Sequence, residues 1–159
     1  MDRRGFVVLG AAVSAFLLAA LVLSPFLSPY GTYTHLDGDP SQMDHGWGAS
    51  GFMYALGDLL CHQQADRSFF LNGNQLPFCI RDTGLLAGFT VGMSVCAFLD
   101  RRLADRRFCI AGIALMAVTV VQWISQNFTP DMPWIRFASA VVSGAGFSLF
   151  LCWMFYREG

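Results

Sequence analysis

Four long apolar stretches, none containing an acidic residue, leave this chain few ways to fold. The first, Phe6 to Leu27, runs 22 residues without a charge. As helix that is about 33 Å, enough for the roughly 30 Å hydrocarbon core of a bilayer. The others are Thr83 to Leu99, Phe108 to Gln126 and Trp134 to Tyr156. Isolated apolar runs of this length are helical in lipid, where each backbone N–H and C=O must find its partner within the segment. The expected fold class is therefore all-α: an integral membrane helical bundle of about four transmembrane helices, forming a single membrane domain over residues 1–159. The spans are expected at about 6–27, 83–99, 108–126 and 134–156. The second is near the short limit and draws on residues before Thr83.

Composition agrees. The chain is 55% hydrophobic, with a mean hydropathy of +0.48, too apolar for an ordinary water-soluble domain. The apolar core of the first stretch is longer than the roughly 7–15 residues of a signal peptide, and no A-x-A-like site precedes Ser24-Pro25. It reads as an uncleaved span.

All ten basic residues are Arg, and their distribution sets the expected orientation. With the N-terminus in the cytoplasm, Arg3, Arg4, Arg101, Arg102, Arg106, Arg107 and Arg157 are inside, whereas Arg67, Arg81 and Arg136 are outside. That is the positive-inside arrangement, strongest at the short turn carrying Arg101-Arg102 and Arg106-Arg107. The expected localisation is the cell membrane, multi-pass, with both termini cytoplasmic and residues 28–82 on the outer face. The near-neutral net charge of -1 gives no basic face for nucleic acid. No Asp, Glu, Lys or His lies mid-span, so the path of a proton- or ion-coupled transporter is not expected.

Within the outer loop, Pro29 to Gly48 reads as irregular. Ser50 to Leu60 carries Phe52, Leu56, Leu59 and Leu60 at helical spacing, with Ser50 as an N-cap. This segment is too short to span and is expected to lie along the outer interface. Asn72-Gly73-Asn74 marks a tight turn. In the second span, Gly84, Gly88 and Gly92 recur every fourth residue, and Ala140, Gly144 and Ser148 offer a matching small face in the fourth. Gln122 and Gln126 are expected to hydrogen-bond across helices or to loop backbone.

Of five cysteines, Cys96, Cys109 and Cys152 lie in apolar runs, where a thiol is usually a small hydrophobe. Cys61 and Cys79 lie in the polar loop, beside His62, Arg67 and Arg81. Three readings stay open. A Cys61–Cys79 disulfide would close a loop of 19 residues, counting both ends, stabilising by roughly 3 kcal/mol. A metal site, zinc being the candidate cofactor, would use Cys61, His62 and Cys79, with Asp58, water or substrate in the fourth position. Asp58 is four residues before His62 and is expected to orient its imidazole. The third reading is a pair of free, merely buried thiols; as a function, a thiol–disulfide relay would need one of them accessible and acidified.

As an enzyme, the site would use His62, Arg67 and Arg81 as catalytic groups, the two Arg holding an anionic lipid or small amphiphile. As a non-catalytic accessory subunit, the chain would dock to other membrane-protein subunits, with the disulfide as a staple. Membrane lipids are expected partners in either case. The bland alternatives pair Arg67 with Asp66 or Asp58, Arg81 with Asp82 and Arg136 with Asp131, and leave His35 and His45 simply solvated. Ser68 qualifies as a nucleophile only if His62 reaches it.

The motifs Cys61-His62-Gln63, Arg67-Ser68-Phe69 and Pro77-Phe78-Cys79-Ile80-Arg81, followed by Gly84 and Gly88, resemble a family of small bacterial and archaeal membrane proteins catalogued as domain of unknown function 2085. The stretch from Asn127 through Arg136 to Gly144 resembles its second block, and the likeness covers roughly residues 55–150. The resemblance implies a functional outer site and supplies no activity. Family members tend to read Cys-x-Arg-Cys-x-Gly, and Asp82 stands here in place of the third cysteine.

The Arg distribution makes a direct prediction. A fluorescent protein fused after Gly159 should fold in the cytoplasm, and a cysteine-labelling tag inserted at Asn72-Gly73 should react with an impermeant reagent on intact cells. Labelling only after lysis would reverse the orientation.

Overall fold

A computed structural model describes residues 3–36, 45–46, 48–49, 51–99, 103–128, 130 and 132–157. Ser50, Arg101, Arg102 and Asp131 lie outside the described residues, and with them the expected cap, half of the basic turn and the Arg136 partner. Among the described residues there are five α-helices: α1 Arg3–Leu23, α2 Phe52–Leu60, α3 Ile80–Leu99, α4 Arg106–Ser125 and α5 Pro133–Arg157. α1 continues into a 3-10 turn, Ser24–Phe26; a second such turn is Ala65–Arg67, and a short hairpin pairs β1 Phe70–Leu71 with β2 Asn74–Gln75.

Four of the helices, all but α2, are long and apolar enough to cross a membrane. Their surfaces fit that solvent: Phe98 is 88% exposed and Trp134 72%, an outward apolar character that lipid accepts and water does not. α3 starts at Ile80, three residues before the apolar run, which supplies the missing length. The Asp105 carboxylate caps α4 by accepting from Arg107 N–H at 2.9 Å. Pro133 opens α5, where the fixed φ of proline suits a first helical residue. α2 begins after Gly51, which makes no side-chain cap bond.

Contacts divide the chain into two compact units, Met1–Phe16 with Thr83–Gly159, and Leu17–Asp82. In the first, α3 and α5 meet backbone to backbone. A Cβ added at Gly84 would lie 2.8 Å from Ala140 Cβ, and one at Gly88 2.8 Å from Val141 Cα. One at Gly92 would lie 3.0 Å from Ala145 Cα, and one at Gly144 2.8 Å from Phe89 N. α4 meets α5 through Gly112 and Gly146, and through hydroxyls. Ser143 Oγ lies 3.0 Å from Leu115 O and 3.1 Å from Met116 O, either of which it can donate to, while it accepts from Thr119 N–H at 3.2 Å. The Thr119 hydroxyl is within reach of Ser139 O at 3.0 Å and Ser143 Oγ at 2.7 Å. Such bonds hold helices together where apolar burial gives no preference over lipid. Gln122 is buried near the end of α4.

The second unit contains little regular structure, so side-chain amides satisfy its backbone. Asn72 and Gly73 both have positive φ, 51° and 68°, the geometry of a two-residue type I′ turn between β1 and β2. Behind that turn, Asn74 Nδ2 donates to Pro25 O at 2.8 Å and Pro29 O at 3.0 Å, and its Oδ1 accepts from Tyr33 N–H at 2.9 Å. Gln75 N–H donates to Tyr33 O at 2.6 Å. Gln75 Nε2 donates to Gln63 O and, at 3.3 Å, to Ser68 Oγ. Gln63 Nε2 in turn donates to Pro77 O at 3.1 Å and Tyr54 O at 3.3 Å. Gly57 makes room for that amide, since a Cβ there would come 3.2 Å from Gln63 Cδ and overlap Pro77 O. Tyr54 closes the network by donating its hydroxyl to Gln75 O at 2.9 Å. Burial, with the neighbouring Tyr33, raises the Tyr54 phenol above its usual range and keeps it a donor.

Two predictions follow from these contacts. Gly88→Val should cost about 1–3 kcal/mol by forcing α3 and α5 apart, read as a lower unfolding midpoint in detergent; an unchanged midpoint would contradict the close approach. Gln63→Ala removes two buried donors, a loss of about 1–3 kcal/mol locally. Cys61, 3% exposed, should then react with maleimide roughly tenfold faster, and an unchanged rate would separate the network from the placement of Cys61.

Candidate functional site

The two loop cysteines sit at the ends of two helices. Cys61 follows α2 as its C-cap, its N–H donating to Gly57 O at 2.8 Å and its backbone already extended, φ −137° and ψ 146°. Cys79 precedes α3, in the position of an N-cap. The Gln63 amide on Pro77 O fixes the approach of the second segment to the first. Cys79 N–H then donates to Cys61 Sγ at 3.2 Å.

The third member is Asp82. Its N–H reaches Cys79 Sγ at 3.5 Å, and the Cys79 thiol donates to Asp82 Oδ2 at 3.1 Å. A thiol accepting from the third helical N–H, with an acid at that third position, repeats the logic of a capping box. It also places a thiol at the positive end of a helix dipole. Cys61 Sγ, Cys79 Sγ and a carboxylate oxygen of Asp82 all lie within 4.8 Å of one another, the spacing of a metal-ligand set. Both cysteines are free thiols. Their hydrogen bond pulls Cys79 below the ordinary thiol range, while the same bond and burial push Cys61 up.

The other residues singled out in the sequence fall elsewhere. His62 is exposed, because the chain leaves the helix at Cys61, and it is not a member of the ligand group. Asp58 does not orient His62: its carboxylate holds His45, accepting from His45 N–H at 2.9 Å and lying 2.8 Å from Nδ1. His45 is thus a held side chain rather than a solvated one, packed against Tyr33 and Tyr54. Arg67 is exposed, with only a 3.8 Å contact to Asp66, a pair of little energetic weight. Arg81 is half-buried in the first turn of α3. Ser68 donates to Gln64 O at 3.0 Å and accepts from Gln75, so its hydroxyl belongs to the loop framework.

Asp82 was legible as a substituted cysteine but not as a candidate ligand; its spacing of three from Cys79, at a helix start, is the signal that would have found it. The Asp58–His45 pair joins residues 13 apart, Asp58 on α2 and His45 ahead of it, and had no local signature.

Residues 61–150 match the sequence profile of the family described as "Predicted membrane protein (DUF2085)", an interval that begins at Cys61. Over 130 residues the chain is 31% identical to an uncharacterised protein of Methanocaldococcus jannaschii, covering 77% of each. No solved structure matches. With four helices fit to cross a bilayer and a family match over more than half its length, the chain belongs to the DUF2085 family of membrane proteins.

Proposed function

We propose that this is a multi-pass cell-membrane protein whose outward segment holds zinc through Cys61, Cys79 and Asp82. The observation that carries the reading is the convergence of these three donors within 4.8 Å from two separate segments. Two thiolates and a carboxylate are a zinc donor set, and a fourth, open position is the arrangement of a catalytic rather than a closed structural site. The backbone N–H groups of Cys79 and Asp82, directed at the two sulfurs, supply the outer hydrogen bonds that orient and stabilise ligating thiolates. A dication with three anionic ligands has one excess negative charge. The N-terminus of α3 and the Arg81 guanidinium, one residue away, oppose it.

In this reading the open position faces an anionic lipid or small amphiphile. Arg67 and Arg81 would supply charge for the anion, His62, exposed beside Cys61, would carry a proton there, and zinc would supply the Lewis acidity that activates water. α2 lies along the outer interface. The closeness of the two thiols also favours a second reading, a Cys61–Cys79 disulfide stapling the loop of a non-catalytic subunit that docks to other membrane proteins.

Metal analysis beside thiol counting separates the two. Protein purified in mild detergent should carry about one zinc, with Cys61 and Cys79 unreactive until the metal is removed. Asp82→Ala should weaken binding by roughly tenfold or more, His62→Ala should leave zinc content unchanged, and mild acid should release the metal as the thiolates protonate. Metal-free protein whose Cys61 and Cys79 appear only after reduction would overturn the zinc reading and support the staple.

A further inference from the structure

A second group of sulfurs lies inside the helices of the first unit, independent of the outer site. Met93 and Cys96 are three residues apart on α3, and so project from one face. Cys152 meets them from α5, its thiol donating toward Met93 Sδ at 3.8 Å. Cys96 is buried with Met93 and Cys152 in one cluster, its thiol making a long contact, 4.0 Å, to Ser148 O, one turn before Cys152. All three side chains are at most 1% exposed. Gly10 of α1 helps aim the thioether: a Cβ there would overlap the Met93 methyl and stand 4.0 Å from its sulfur.

We propose that Met93, Cys96 and Cys152 form a buried site for monovalent copper. The donor chemistry selects the ion. Thiolate and thioether sulfur favour Cu(I) among the common metals. Zinc takes four ligands from thiolate, imidazole and carboxylate, and this pocket offers a thioether and neither of the latter two. The apolar residues packed around the sulfurs include Val7, Leu103 and Phe89, and Tyr156 adds a phenol to the same cluster. Cu(I) entering with loss of one thiol proton leaves one Cu–thiolate bond, one neutral thiol and one thioether. That site is uncharged overall, the state a lipid-level interior favours.

The test is an anaerobic Cu(I) titration of the full chain in detergent against bicinchoninate. It is run in the unaltered chain and in Cys61→Ser/Cys79→Ser, so that failure here is separate from failure of the zinc site. Both proteins should hold about one Cu(I) at the inner site. Met93→Leu, which conserves volume, should weaken that copper by roughly tenfold or more, and Cys152→Ser should release it. X-ray absorption at the copper edge should count one fewer sulfur in Met93→Leu. The proposal is overturned if neither background holds copper, if Cys152→Ser or Met93→Leu holds it as tightly, or if freshly purified protein contains a Cys96–Cys152 disulfide.

Discussion

Backbone hydrogen bonding is the constraint from which the rest of this structure follows. Where the chain lies at lipid level, the requirement is met within α1, α3, α4 and α5. Between α1 and α3, regular structure among the described residues is limited to the short α2, two 3-10 turns and a hairpin two residues wide on each side. The carbonyls of Pro25, Pro29, Gln63 and Pro77 are instead taken by the amides of Asn74, Gln75 and Gln63. These amides are buried and committed, so losing any one strands a partner carbonyl. Cys61 and Cys79 come together because this network fixes the segments that carry them.

The placement of the thiols at helix ends then determines their chemistry. Cys79 at the start of α3 receives backbone N–H and dipole stabilisation, whereas the bond with Cys79 and burial past the end of α2 push the Cys61 thiol up. Such an asymmetric pair with an acid alongside is suited to cation binding. The hydroxyls of Thr119 and Ser143, by contrast, are spent joining α4 to α5, and Ser68 is spent on its loop.

The helices were legible in the sequence because each apolar run exceeds what a soluble core element needs, and their bounds moved only at the ends: α3 extends back to Ile80, directly after Cys79. The turn at Asn72-Gly73 was legible because two successive positive φ angles demand those residue types. The site was legible only in part. Cys61 and Cys79 stand out as the thiols in polar chain. Asp82 was read as the loss of a ligand, though a carboxylate one helical turn from Cys79 occupies the same space. His62 drew weight by adjacency to Cys61, but a backbone that turns extended at the cap sends neighbouring side chains apart. Asp58 on α2 found His45, 13 residues earlier, and the amide roles of Gln63, Asn74 and Gln75 depend on contacts up to 49 residues apart. No local pattern encodes those.

The central claim is the proposal that two thiolates and a carboxylate, not a histidine, form a metal site where the end of α2 meets the start of α3. Zinc-edge X-ray absorption of the purified protein addresses it most directly. The account predicts a mixed sphere of two sulfurs at about 2.3 Å with oxygen donors at about 2.0–2.2 Å, free of imidazole scattering. A sphere containing imidazole, or one without sulfur, would contradict it.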